Sequence, residues 1–409
     1  MSSDLHRRNI VIIGGGIIGS TTAYFLSHND KFDRERDRIT LLEATKIAGG
    51  ASGKAGGLLA LWAYPSCLVP LSYRLHKELA DKHEGAERWG YRALYCGQID
   101  ARGRLHSKPS RSSNSQSVPL QKRSGTATST TYSTVPNDLD WIDRESLSSY
   151  EEMGNPSTTA QIHPFQFTTS MASLAEEKGV NIIFASAISI NQASGAVKSV
   201  TYRPKDGSEE KKIEADTVVL TAGPWTKTVW PSAPISALRA HSVTIRPSRP
   251  VSAYALFTSV EIPKGDGRRS KIVTPEIYAR PNNEVYACGE GDTLVPLPAA
   301  TDLVQVEASR CEEIVQQVGS ISDELRDGEV TARQACYLPN VTPGGGPMIG
   351  ETEVKGLLMG AGHTCWGIQN APGTGKCLSE LVWDGGVKSA NLSSLDPKLY
   401  IRRGEEEGT

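Results

Sequence analysis

The chain has 409 residues, 38% of them hydrophobic and 22% charged, and carries a formal net charge of −2. That balance suits a globular protein of two or three domains and supplies no general pull toward nucleic acid or an anionic bilayer. No apolar run approaches the ~18 residues of a membrane span, and no His/Cys/Asp group has metal-ligand spacing, so no metal is expected. Seven cysteines, an odd number without framework spacing, fit a reducing compartment. A first strand starting near residue 9 leaves no room for a signal or transit peptide, so the expected location is cytoplasmic.

The first element is Asn9 to Ile13, a strand running into the glycines of NIVIIGGGIIGSTTAYFL. Gly14 permits the turn, Gly16 leaves bare backbone beside a ligand, and Gly19 lets a helix from about Ile17 pack close to the strand. The helix start offers unpaired N–H groups and partial positive charge to a pyrophosphate. A glycine-rich turn that binds nothing is the competing reading, so the motif needs support from the strand beyond the helix. RITLLEA, residues 38 to 44, supplies it: a second strand with Glu43 at its tip, able to accept from ribose hydroxyls. The gap from Gly19 is 43 − 19 = 24 residues, against about 20 in dinucleotide-binding folds, and the polar SHNDKFDRERD accounts for the excess. Strand, turn, helix, strand and acid in this order point to dinucleotide binding, with NAD and FAD not separated.

Residues 44 to 62 bring glycines at 49, 50, 53, 56 and 57, a backbone able to lie along an extended ligand. The stretch from Cys67 reads as a helix. Half of the 28 residues from 107 to 134 are Ser or Thr, with almost no apolar anchors to offset ordering entropy, so a flexible surface insertion is expected there. It is also the candidate segment for docking a protein partner. IHPFQFTTSMASLAEEKGVNIIFASAISI reads as an amphipathic helix, a stop at Gly179 and a strand through Ile190. KKIEADTVVLTAGPWT is a polar edge strand and then a buried one. ALRAHSVTIRP, AYALFTSV and IYARPNNEVYACGE read as antiparallel strands, the last a hairpin about Asn282 and Asn283. A long helix is expected over Ala300 to Gln317, and the tail closes with a strand, a glycine-rich bend and a helix. The fold class is α/β, α+β overall: a Rossmann-like nucleotide-binding domain in discontinuous pieces with an inserted antiparallel-sheet domain. The pieces are 1–66, 145–232 and 336–400 for the first domain, and 67–144 and 233–335 for the second.

Five stretches, in this order and spacing, resemble the FAD-dependent oxidoreductases that include D-amino-acid, glycine and sarcosine oxidases. They are VIIGGGIIG, LLEATKIAGGASGKAGGLL, IHPFQFTTSMASLAEEKGV, VVLTAGPW, and TPGGGPMIG with GAGHTCWGIQNAPGTGK after it. The resemblance implies FAD as cofactor. Gly14, Gly16, Ile17, Ile18 and Gly19 would then hold the pyrophosphate, and Glu43 with Ala44 the adenosine ribose. Ala51, Ser52, Lys54, Ala55, Gly57 and Leu58 would run along the ribityl chain and flavin. Ile188 would contact adenine, with Ala222, Gly223 and Trp225 nearby, while Gly362, His363, Trp366, Gly367 and Ile368 would flank the pyrimidine edge of the ring. A helix starting after this bend would aim its positive end at that edge.

The resemblance also implies oxidation of an amine or amino acid by hydride transfer to flavin, with dioxygen as acceptor and hydrogen peroxide as product. Arg333 is the candidate anchor for a substrate carboxylate, and Tyr278 a second donor to it. Two departures stand out. The family's usual TPDG is TPGG here, at Thr342 to Gly345, and Gln369 stands where sarcosine oxidases carry a lysine. Cys336 lies near the position at which some members link flavin by a thioether; non-covalent FAD is expected, with that link as the alternative. A dehydrogenase using another acceptor, or a flavin-bearing protein with an interaction role, are the other functional readings.

Overall fold

A computed structural model of the chain describes residues 7–104, 120, 135–263, 270–342 and 344–401. Apart from Leu120, the Ser/Thr-rich insertion at 107–134 lies outside the described residues. In chain order the elements are β1 (Asn9–Ile13), α1 (Ile17–Ser27), β2 (Arg38–Glu43), β3 (Leu58–Ala60), α2 (Val69–Lys82), α3 (Gly85–Trp89), β4 (Arg92–Ala93) and β5 (Tyr95–Arg102). Next come β6 (Leu147–Gly154), β7 (Thr159–Gln161), α4 (Pro164–Glu177), β8 (Asn181–Ala193), β9 (Ala196–Pro204), β10 (Lys211–Glu214), β11 (Thr217–Leu220) and α5 (Thr226–Val229). The chain continues with β12 (Ile235–Arg246), β13 (Tyr254–Ile262), β14 (Lys271–Val273), β15 (Glu276–Arg280), β16 (Glu284–Cys288), α6 (Ala308–Gly319) and α7 (Asp323–Arg326). It closes with β17 (Glu329–Val341), β18 (Met348–Glu351), β19 (Leu357–Ala361) and α8 (Gly367–Asp384).

The first sheet runs β10-β9-β8-β2-β1-β11-β19-β18. Its five central strands, β8 to β19, are parallel. Helices α1, α4 and α8 pack on one face. On the other, Val11, Ile13, Val218 and Leu220 meet Val197, Val200 and Tyr202 of β9, with Ile235 and Val341 at the ends of β12 and β17. With both faces covered, β1, β2, β11 and β19 read as continuous apolar runs. Helices α1 and α8 lie against each other through small side chains: a Cβ at Gly375 would come within 2.7 Å of the Thr21 carbonyl carbon. Thr21 Oγ1 reaches across to Ala371 O at 3.0 Å. The second sheet runs β17-β12-β16-β15-β13-β5-β6 and is mostly antiparallel, with β5 and β13 parallel. Asn282 and Asn283 both take positive φ in the turn joining β15 and β16, which is why a short polar side chain tolerant of that region sits at each position.

Several boundaries fall differently from the sequence expectation. Helix α2, expected in the second domain, packs on α8. Leu71 and Leu75 there join the core that holds Ile10, Leu26 and Leu378. Strand β6, expected in the first domain, pairs with β5 at the edge of the second sheet. Strand β17 stays in the second sheet past residue 336, through Val341. The helix expected over Ala300 to Gln317 begins only at Ala308, after a short turn at Thr301–Leu303.

Candidate active site

A cavity of about 1270 Å³, counting its open mouth, lies at the carboxyl ends of the parallel strands. This is where ligands bind in open α/β sheets. Ile13 and Gly14 end β1, Leu42 and Glu43 end β2, and Thr221 comes directly after β11; all line it. Gly14 has φ +107°, and a Cβ there would meet Thr221 O at 2.6 Å, so both the turn and the approach of β11 need glycine. Gly16 faces the cavity, where a Cβ would sit 3.1 Å from Ser52 Oγ. The first turn of α1 carries no acidic residue, so its positive end is left for an anion. Ser52 Oγ accepts from Ile17 N at 2.9 Å and ties the second glycine stretch to that helix start.

Glu43 sits on the same rim. Its Oε2 accepts from Gly15 N and its Oε1 from Thr45 N, both at 2.8 Å. Thr45 in turn hydrogen-bonds Thr301, and Ala299 to Thr301 close that wall. Of this wall, Ala300 and Thr301 were expected to begin a helix. Bare glycine backbone, a helix N-terminus and a carboxylate at the end of the adjacent strand fit the pyrophosphate and ribose of a dinucleotide.

At the far end lie Gly362, His363, Thr364, Cys365, Gly367 and Ile368, the bend into α8. The bend is braced from behind. His76 donates from Nε2 to Ile368 O at 2.9 Å, and Ala60 N donates to Gln369 Oε1 at 2.8 Å. His363 Nε2 lies 3.0 Å from Thr374 Oγ1. Burial pulls His363 down to about 3 and His76 to about 4, so both rings stay neutral. Below their unfolded value the denatured chain binds protons that these folded rings refuse. Stability is therefore fully present above about pH 6.5 and falls as pH drops toward 4, by up to about 1.4 kcal/mol per pH unit for each ring. Thermal melts across that range should show the loss, and His76→Gln should reduce its slope. An unchanged slope would mean that other groups set the acid limit.

The sequence candidates divide. Gly14, Gly16, Ile17, Ile18, Glu43, Ala44, Ala51, Ser52, Ala55, Ala222, Gly223, Trp225, Gly362, His363, Gly367 and Ile368 line the cavity. Gly19, Lys54, Gly57, Leu58, Ile188 and Trp366 do not. Gly19 packs behind Gly14, and Gly57 gives way to Ile162 O. Lys54 donates from Nζ to Ala335 O at 2.9 Å. Ile188 falls at a register irregularity between Ala187 and Ser189, where the extra residue turns outward; Ala185, Ser186 and Ala187 line the cavity instead. Arg333 is not brought to the cavity: its side chain is 44% exposed on β17 and lies 3.9 Å from Glu312. Tyr278 is buried and donates to Glu276 Oε2. Cys336 is buried beside Lys54, and burial pushes its thiol up to about 11.

Arg280, a lesser sequence candidate for the carboxylate anchor together with His241, holds the second glycine stretch instead. Its guanidinium donates to the carbonyls of Ala55 and, at 3.1 Å, Gly56, and pairs with Glu284 at 2.9 Å. Alternation along β15 puts it on the same face as Tyr278.

A glycine-turned strand–helix unit, an acid at the second strand and a second sheet against the far end of the cavity make this a dinucleotide-binding protein. The family model described as FAD dependent oxidoreductase (DAO) matches residues 9–381, and the chain belongs to that family. A Saccharomyces cerevisiae protein named as an oxidoreductase, TDA3, is 36% identical over 97% of this chain and 95% of its own. A Schizosaccharomyces pombe protein named in the same way is 37% identical over 96% of this chain and 98% of its own. In fold the chain is similar to a glycine oxidase from Geobacillus kaustophilus: TM-score 0.69, 19% identity, covering 96% of this chain and 99% of that one. It is similar to the same degree to an L-proline dehydrogenase from P. horikoshii: TM-score 0.68, 17% identity, covering 97% and 99%. Among the described residues no helix is long and apolar enough to cross a membrane, and no group of His, Cys, Asp and Glu could hold a metal ion.

Proposed function

We propose that this protein oxidises the carbon–nitrogen bond of a small amine or amino acid, using non-covalent FAD and passing electrons to dioxygen with release of hydrogen peroxide. One observation carries the reading: the dinucleotide cavity ends at Cys365, which packs against the face of the second sheet that presents Tyr278, Tyr286 and Cys288. When bound, FAD supplies the hydride acceptor. The protein's own part is to hold and orient. Gly14, Gly16 and the start of α1 would take the pyrophosphate, Glu43 the ribose, and Ala51, Ser52, Ala55 and the 362–368 bend the ring end. The N-terminus of α8, at Gly367 and Ile368, places partial positive charge there. The apolar layer of Leu58, Tyr278, Tyr286 and Trp366 keeps water from the reacting atoms. A raised thiol outside the cavity lining supports non-covalent flavin over a thioether at Cys336. All seven cysteines are unpaired, which supports a reducing compartment such as the cytosol.

The purified protein should be yellow and should release its flavin on acid precipitation. Under anaerobic conditions an active amine or amino acid should bleach it, and air should restore the colour with hydrogen peroxide. A flavin-loaded protein that none of a broad panel of amines and amino acids reduces would overturn the reading. Bleaching that air does not reverse would assign a different acceptor.

A further inference from the structure

Strand β15 alternates: Ile277 and Ala279 enter the core of the second sheet, while Glu276, Tyr278 and Arg280 share the face toward the cavity. The cations near this face are already engaged. Arg280 serves Ala55, Gly56 and Glu284 and lies over the Tyr286 ring at 4.8 Å. Lys54 donates to Ala335 O, and Arg333 is exposed elsewhere.

Glu276 is the opposite case. Its Oε2 accepts from Tyr278 and lies 3.9 Å from Cys288 Sγ; among the described residues no hydrogen bond reaches Oε1. Among the described residues no cation stands among the groups acting on it, and burial pushes its carboxyl up although it keeps some accessible area. A continuous belt of aromatic rings runs past it. Tyr64 meets Trp366 at 5.9 Å, Trp366 meets Trp62 at 5.5 Å, and Trp62 meets Phe257 at 5.9 Å. Phe257, the cross-strand neighbour of Glu276, meets Tyr278 at 6.1 Å, and Tyr278 stacks on Tyr286 at 5.9 Å. The belt touches the cavity through Cys365, whose thiol feels the Glu276 carboxylate. A carboxylate beside a belt of aromatic rings, with no counter-ion among the described residues, is the chemistry that receives a cation.

Resting on the amine-oxidation reading, we propose that Glu276 determines specificity by receiving the substrate's ammonium nitrogen inside this aromatic belt. The substrate is then an amine recognised through its nitrogen, not an amino acid recognised through its carboxylate. Oxidation needs the nitrogen lone pair, so the ammonium gives up a proton first. The N–H bond breaks as an O–H bond forms at Glu276, leaving a neutral amine and a neutral carboxyl with no change in net charge.

The flavin-loaded protein is tested with matched pairs that differ only by a carboxylate: ethylamine against both enantiomers of alanine, and benzylamine against both enantiomers of phenylglycine. Unreactive ligands are tetramethylammonium and acetate, titrated against the flavin absorbance. The amines should reduce the flavin at least about ten-fold faster than their amino acids, and tetramethylammonium should bind more tightly than acetate. Glu276→Gln should keep its flavin while losing about ten-fold or more in tetramethylammonium affinity, and Glu276→Asp should recover part of it. Amino acids reducing the flavin as fast as the amines, or unchanged cation affinity in Glu276→Gln, would overturn the proposal. If the variant holds no flavin, the matched pairs on the unmodified protein decide. Tetramethylammonium binding that depends on Glu276, with none of the four substrate pairs active, would support the cation site and count against amine oxidation.

Discussion

Gly19→Ala is expected to produce a protein that neither holds FAD nor folds stably. A Cβ at this position would fall far inside contact distance of Gly14 O, 2.8 Å from Thr221 Oγ1 and 3.1 Å from the Gly14 carbonyl carbon. The obstructing atoms are mostly backbone, and Thr221 Oγ1 is already bonded to Ile13 O and Gly14 O, so the clash cannot be relieved by rotating a side chain. Either α1 moves off the sheet or the turn at Gly14 opens, and both dismantle the pyrophosphate cradle. Overpacking typically costs about 1–3 kcal/mol, and a backbone-to-backbone clash belongs at or above the top of that range. Gly386→Ala is the control, since a Cβ there meets nothing within 4 Å. Melting temperature and flavin content after gel filtration measure the effect. A yellow Gly19→Ala protein melting with the parent would refute this account of the turn.

Arg280→Met should come next in size. The side chain is buried, and its removal leaves the carbonyls of Ala55 and Gly56 without their donors while the chain around them keeps its shape. Unpaired buried acceptors cost about 1–3 kcal/mol each. Because Ala55 lines the cavity, the loss should appear in cofactor affinity as well as in stability. Flavin release on ultrafiltration should rise about ten-fold or more, and Arg280→Lys should recover little, since a point charge cannot serve two carbonyls and Glu284 together. Parent-like flavin retention would show that the glycine stretch holds its course without the guanidinium.

The dinucleotide half of the site was legible because its chemistry is written in short spacings. Gly14, Gly16 and Glu43 reach the cavity from one strand–turn–helix–strand run, where local geometry decides the outcome. Ala299 to Thr301 were not legible, since only the fold brings them 256 residues back to Thr45. Ile188, expected at the adenine, is turned out of the lining by a bulge, which periodicity cannot register. The substrate side was harder. Glu276 and Arg280 carry no motif, and their role comes from standing two residues either side of Tyr278 on one strand face. Arg333 stands out in the sequence as an isolated arginine, yet it lies in the exposed first half of β17, before the strand reaches the cavity at Leu338 and Pro339.

The strand order of the first sheet has a consequence for synthesis. Strand β1 acquires β2 almost at once, but β11 lies some 200 residues later and β19 another 357 − 220 = 137 residues beyond the end of β11. At about 5–20 residues per second, that last interval alone takes roughly 7–27 s. Throughout it the edge of β11 stands unpaired, with Val218, Val219 and Leu220 on a strand that is fully buried once the sheet is complete. The residues that cap the flavin end, Gly362 to Ile368, emerge later still. Cofactor capture is therefore a late event in the life of the nascent chain, and the newly made protein depends on whatever shields that apolar edge until its final strands arrive.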